Sequence, residues 1–250
     1  MIRLENVEKR YGSFQALHPL NLHVKKGEVF GFLGPNGAGK TTTIRTLAGV
    51  LTPSAGKVLI DGIDIIENPV DSKKRVGYIP DRPYLYEKLT ALEFLSFVGR
   101  LYGLTDEEIT NRGAELLAEN DLSNRANELI EAYSHGMKQR LVLSAALLHK
   151  PALLIVDEPM VGLDPHGARR IKNQFRRLAN SGRTVFLSTH SLDVAQEVCD
   201  RVGILFRGKL VALDTVDELM NKQTSADLEE VFLKITEEQL ELSGQTAAQL

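Results

Sequence analysis

Residues Gly34-Pro35-Asn36-Gly37-Ala38-Gly39-Lys40-Thr41 fill the pattern G-x-x-x-x-G-K-[ST]. Glycines at such positions let the backbone turn tightly and aim its N–H groups inward, which makes a nest for an anion. A helix beginning near Thr41 adds its positive end at the same spot. Lys40 can then reach the β- and γ-phosphates of a nucleotide, and the Thr41 hydroxyl can ligate Mg²⁺. Two carboxylates complete the chemistry. Asp157-Glu158 closes the apolar run Leu153-Leu154-Ile155-Val156. Asp157 would hold Mg²⁺, directly or through water. Glu158 would polarise an attacking water, and general-base help of that kind is typically worth ~10²–10⁴-fold. His190 follows the next apolar run, Thr184–Ser188, and stands where a side chain could reach a γ-phosphate.

A second stretch, Tyr133-Ser134-His135-Gly136-Met137-Lys138-Gln139-Arg140, precedes a helical run. Ser134 is open to two readings. It is a helix cap, or with Gly136 it opens a second anion site. One γ-phosphate does not need two helix N-termini from one chain, so the second reading implies a nucleotide held by another copy.

The elements that must position these groups follow from periodicity. Val29–Leu33 reads as a short buried strand, and Thr42–Val50 as the helix after the phosphate loop. Residues 2–8 read as an edge strand, with Ile2, Leu4 and Asn6 on one face and Arg3, Glu5 and Val7 on the other. Residues 14–24 and Lys57–Asp61 read as further strands. Val76–Ile79 is a short strand. From Thr90 to about Leu148 the pattern is helical, with a capping box at Thr90 and Glu93 and a second helix start at Thr105. Strand character returns at Leu153–Val156 and Thr184–Ser188. Helices are expected over Gly167–Asn180 and Ser191–Cys199. Two strands surround the turn Arg207-Gly208, and a helix starts at Thr215. Leu228, Val231, Phe232 and Ile235 recur at helical spacing. Residues 236–250 could be helix, partner contact or loose tail.

The chain has 250 residues, 43% of them hydrophobic and 25% charged, which suits a globular protein. A net charge of -3 gives no footing for a nucleic-acid partner. The single cysteine, Cys199, excludes an internal disulfide. The first residues are strand-like and charged rather than leader-like. No apolar run approaches the roughly 20 residues that cross a bilayer, so any membrane role is expected to run through a partner.

Taken in order, these motifs resemble those of the ATP-binding cassette (ABC) transporter ATPases, over roughly residues 1–220. Gly34–Thr41 is similar to the Walker A loop and Leu153–Glu158 to Walker B. Ser134-His135-Gly136-Met137 stands where the family signature belongs, Val161-Gly162-Leu163-Asp164 resembles the D-loop, and His190 resembles the switch histidine. Tyr11 matches the aromatic residue that stacks on adenine.

The resemblance implies an α/β fold: a P-loop NTPase (RecA-like) core with an antiparallel β subdomain and an inserted helical subdomain at about 90–148. Residues 221–250 would form a helical extension or tail. It implies an ATPase that uses ATP and Mg²⁺, with Glu158 and His190 catalytic. Tyr11, Gly34, Pro35, Asn36, Gly37, Ala38, Gly39, Lys40, Thr41, Thr42, Ser134 and Gly136 would bind nucleotide. Thr41, Asp157 and Asp81 would face the metal. Two cassettes would pair head to tail as a homodimer, each ATP lying between one copy's Walker A and the other's Ser134 and Gly136. Integral membrane permease subunits would dock in a groove near Asp81–Leu92, with Pro83, Tyr84, Leu85 and Tyr86 exposed; the same segment could instead be a loop packed on its own domain. The protein would be cytoplasmic and peripheral on the inner face of the membrane.

Three departures stand out. His135 replaces a signature glycine, Met137 replaces its glutamine, and Asp81 stands in place of the Q-loop glutamine. With the ending Leu228-Glu229-Glu230-Val231-Phe232-Leu233, they look most like bacterial type-2 exporter cassettes. A soluble cassette ATPase acting on nucleic acid or the ribosome is the alternative; a non-hydrolysing ATP sensor is a third reading.

Overall fold

In chain order the elements are β1 (Ile2–Tyr11), β2 (Phe14–Val24), β3 (Val29–Leu33), α1 (Lys40–Leu47), β4 (Ala55–Ile60), β5 (Ile63–Asp64), α2 (Pro69–Lys74), β6 (Val76–Ile79), α3 (Ala91–Leu101), α4 (Asp106–Glu119), α5 (His135–Leu147), β7 (Leu153–Asp157), α6 (Pro165–Asn180), β8 (Thr184–Thr189), α7 (Leu192–Val198), β9 (Arg201–Phe206), β10 (Lys209–Thr215), α8 (Val216–Gln223) and α9 (Leu228–Leu242). This computed structural model describes residues 1–160, 163–223, 225 and 227–242. Two residues of the expected D-loop, Val161 and Gly162, and the end of the chain from 243 lie outside them.

A six-stranded sheet of order β10-β9-β3-β8-β7-β6 carries the functional residues. All its pairings are parallel except β9 with β10. β3, β7 and β8 are buried along their whole length, which is why they read as unbroken apolar runs. Register places their C-terminal ends side by side: Leu33 pairs with Thr189, and Asp157 with Ser188. The loop after β3, the carboxylates ending β7 and the histidine after β8 therefore meet at one edge, where open parallel sheets place their ligands. Phe30 and Phe32 pack on Phe186 with ring centroids 5.4 and 5.5 Å apart. Those rings share one core with Ile2, Leu4 and Leu22 of the second sheet. The opposite face packs on α3–α7 and the C-terminal helices.

The second sheet is antiparallel, of order β2-β1-β4-β5. β1 is therefore interior and not an edge strand. Its face assignment also differs from simple alternation. Asn6 takes a left-handed φ of 49°, and the register shifts between Leu4 and Val7. This bulge brings Val7 into the core beside Ile2 and Leu4. Asn6 instead faces Asn21: its N–H donates to Asn21 Oδ1, and Asn21 Nδ2 donates back to Asn6 Oδ1, both at 2.9 Å.

Helices α3, α4 and α5 lie between β6 and β7. The expected capping box at Thr90 and Glu93 forms, and Thr105 with Glu108 makes another. α1 and α6 each begin two residues before their expected starts, because Gly39 and Asp164 occupy the cap positions. Neither α2 nor β5 was foreseen; α2 buries only Ser72, so it has no apolar period to read. Leu85 was expected to be exposed and is buried at 9%, whereas Tyr84 is 78% and Tyr86 45% exposed. α9 buries Leu228 and Val231 completely and packs on α7 and α8.

Candidate functional site

The phosphate loop leaves β3 through Gly34, whose φ is 156°. A Cβ on Gly34 would lie 2.3 Å from the Leu205 carbonyl oxygen. Gly39 caps α1 at φ 106°, and a Cβ there would meet Leu17 and Ala16 within 3 Å. Only glycine fits either position. Lys40, 7% exposed, donates to the Gly34 and Pro35 carbonyls at 2.5 and 3.0 Å, so its ammonium lies along the loop. Burial lowers the Lys40 pKa, opposed by the nearby carboxylates Glu158 and Asp157.

A cavity of about 490 Å³ opens on this loop. It is lined by Tyr11, Asn36, Gly37, Gly39, Lys40, Thr41, Thr42, Asp81, Asp157, Glu158 and His190. Those groups come from strand ends of the two sheets, the phosphate loop with the start of α1, and the β6–α3 loop; all were expected at the site, Tyr11 and Asp81 through the family resemblance alone. Gly34, Pro35 and Ala38 shape the loop from behind rather than line the cavity. Phe14 and Ala16 line it as well and were not anticipated. Phe14 is the cross-strand partner of Tyr11, so an aromatic pair flanks the entrance. The available signal was its place three residues after Tyr11, across a tight turn.

The acidic end is tightly organised. Glu158 has a left-handed φ of 50°, a conformation that costs a bulky side chain of order 1–3 kcal/mol. Its N–H donates to the Ser188 carbonyl at 2.9 Å. The Thr189 hydroxyl donates to Glu158 Oε2 at 3.4 Å, and His190 Nδ1 lies 2.9 Å from Oε1. Burial raises the Asp157 pKa; the Ser188 hydroxyl and Lys40 pull it back, while Glu158 and Asp81 push it further up. Thr41, Asp157 and Asp81 thus offer oxygen donors to the same cavity, a set of types that suits Mg²⁺ shared with substrate phosphates. Among the described residues no group of three or more His, Cys, Asp or Glu could hold a metal unaided.

Ser134 and Gly136 do not join this cavity. They line another, of about 390 Å³, with Leu163, Asp164, Gly167 and Arg170. Ser134 caps α5, its hydroxyl accepting from the Met137 N–H at 3.3 Å. Gly136 has room: a Cβ there would meet no atom closer than Leu163 Cδ2 at 3.9 Å. Nothing in its own chain demands a glycine at that position. A third cavity, of about 560 Å³, runs along Asp81–Leu85 to His135 and Lys138. Asp81 is common to it and the phosphate-loop cavity, and His135 is common to it and the Ser134 cavity. Among the described residues no helix is long and apolar enough to cross a membrane.

Residues 17–161 match the profile of the family described as ABC transporter. The linearmycin resistance ATP-binding protein LnrL of Bacillus subtilis is 40% identical over 222 residues, covering 89% of this chain and 71% of that protein. The Nod factor export ATP-binding protein I of Cupriavidus pinatubonensis is 36% identical, covering 98% and 79%. Among solved structures, an ATP-binding subunit of an ABC transporter superposes with a TM-score of 0.88 at 32% identity, over 94% of this chain and 99% of that one. A dimeric, post-hydrolysis state of an ATP-binding cassette bound to ADP and Pi gives 0.78 at 28% identity, over 86% and 98%.

Proposed function

The chain belongs to the ABC transporter family, and we propose on that footing that its two separate cavities are halves of two ATP sites completed by a second copy. The protein is an ATP-hydrolysing cassette of a transporter. The single observation that carries the shared-site reading is the separation of Ser134 and Gly136 from the Lys40 cavity, with no lining residue in common.

In this reading the phosphate loop and Lys40 hold the triphosphate of one ATP, and Tyr11 stacks on its base. Glu158, braced by Thr189 and His190, accepts a proton from the attacking water as it reaches the γ-phosphate. Water adds to the γ-phosphorus, the bridging oxygen leaves with ADP, and inorganic phosphate is released. Thr41, Asp157 and Asp81 would hold Mg²⁺, which when bound neutralises charge on the phosphates. Ser134 and the Gly136 N–H reach the γ-phosphate of the partner's ATP, so closure of the dimer reports occupancy of both sites.

The cassette itself would span residues 1–220, with 90–148 as its helical insert and 221–250 as an extension. Permease subunits would dock along the groove of Asp81 and the exposed Tyr84 and Tyr86, and the protein would then sit on the cytoplasmic face of the membrane. The relatives named for linearmycin resistance and Nod factor export support export as the direction. The test is ATP turnover by the purified chain: wild type is expected to release phosphate and Lys40→Ala to release none. Equal rates would overturn the assignment.

A further inference from the structure

Strand β8 contains three buried hydroxyls at 0–1% exposure: Thr184, Ser188 and Thr189. Two are in use. Thr184 accepts from the Gly27 N–H and donates to the Lys25 carbonyl. Thr189 accepts from the Ser191 N–H and donates to Glu158. Ser188 Oγ, wholly buried, has no hydrogen-bond partner. A buried hydroxyl left unpaired is a standing cost to the fold and calls for a reason.

Its neighbours supply one. Ser188 is the register partner of Asp157 across β7 and β8. Its carbonyl already holds the Glu158 backbone in its left-handed turn. Its hydroxyl is close enough to the Asp157 carboxylate to favour the charged form and lower its pKa. The one hydroxyl of the strand without a bonded partner thus stands beside the carboxylate assigned to the metal, itself only 4% exposed.

We propose that Ser188 is a positioning residue for Asp157: its O–H donates to one carboxylate oxygen and so turns the other toward the cavity where Mg²⁺-ATP binds. This rests on the ATPase reading above. A donor behind a metal-facing carboxylate fixes its rotamer, and loss of such an outer partner typically weakens metal affinity by roughly 10–100-fold. Ser188 touches neither the nucleotide nor the water, so its effect passes through Asp157.

The test compares equilibrium ATP binding by the full chain with Mg²⁺ and with EDTA, for wild type, Ser188→Ala and Ser188→Thr. The expected result is that Ser188→Ala loses roughly 10-fold of the affinity gained on adding Mg²⁺. Its affinity in EDTA stays within about 2-fold, because the phosphate loop is untouched. Its Tm stays within about 5 °C of wild type, since a single hydrogen bond is worth only about 0.5–1.5 kcal/mol. Ser188→Thr keeps the hydroxyl and retains most of the Mg²⁺ gain. A Ser188→Ala chain with the wild-type Mg²⁺ gain overturns the proposal. So does one that weakens equally with and without Mg²⁺ while losing Tm, which marks a purely structural serine. Failure of wild type itself to bind ATP removes the ATPase reading instead, and this inference with it.

Discussion

His190 Nδ1 lies 2.9 Å from Glu158 Oε1, joining the residue after β8 to the residue after β7. The Thr189 hydroxyl approaches the other carboxylate oxygen. The imidazole is the more exposed partner, 63% against 16% for the Glu158 side chain, so it can turn toward a bound γ-phosphate while the carboxylate stays in place.

That geometry assigns the two residues different losses. His190→Ala leaves the phosphate loop intact and should keep ATP affinity within about 3-fold while lowering turnover by roughly 10²-fold. Nucleotide titration and single-turnover phosphate release separate the two quantities. A loss of binding equal to the loss of turnover would mean that His190 holds nucleotide rather than braces the reaction.

Lys40 makes its contacts with the loop itself, at the Gly34 and Pro35 carbonyls. Replacing it with alanine removes a charge-assisted donor to the phosphates, a contribution of about 1.5–3 kcal/mol, or roughly 10- to 10²-fold in affinity. Lys40→Ala should therefore show weaker ATP binding by calorimetry with its secondary structure unchanged by circular dichroism. Undiminished affinity would take Lys40 out of the site.

His149 provides a pH-dependent test of the fold. Its ring stacks on Tyr102 at 3.7 Å and 6°, its Nε2 meets the Val76 carbonyl at 3.1 Å, and its Nδ1 is buried without a partner. Burial lowers its pKa from 6.5 to about 4. Between those values the unfolded chain binds more protons than the folded one, so protonation favours unfolding. The stability tied to neutral His149 is fully present above pH 6.5 and is lost as pH falls through about 4. His149→Phe, which keeps a ring for the stack, should flatten this part of the Tm-against-pH curve. An unchanged slope would show that other groups set it.

Much of the site was legible because its chemistry is carried by residue types at fixed offsets from apolar runs. Asp157, Glu158 and His190 sit at or just past the ends of strands that read as buried, Lys40 and Thr41 open the helix after another, and register does the rest. Phe14 was not legible, because its role depends on pairing with Tyr11 across a turn. The interior position of β1 was missed for a similar reason. It depends on pairing with both β2 and β4, while the faces of β1 were misread separately, because a left-handed Asn6 shifts the phase of alternation. Leu85 lies in a loop that looks exposed from its tyrosine neighbours; its own side chain turns into the core. Ser188 was invisible as a functional candidate, since a serine inside an apolar strand reads as filler until the other hydroxyls around it are accounted for.

The account depends most on Ser134 serving a nucleotide held by another copy. Glu158→Gln should bind ATP and hydrolyse it ~10²–10⁴-fold more slowly, so the closed pair accumulates. Sedimentation of that variant with saturating Mg²⁺-ATP should give a species of roughly twice the 27.7 kDa chain mass. Adding Ser134→Arg should return it to the monomer while ATP binding to the Lys40 cavity persists. A Glu158→Gln chain that stays monomeric with ATP bound, or a dimer indifferent to Ser134→Arg, would contradict the shared site.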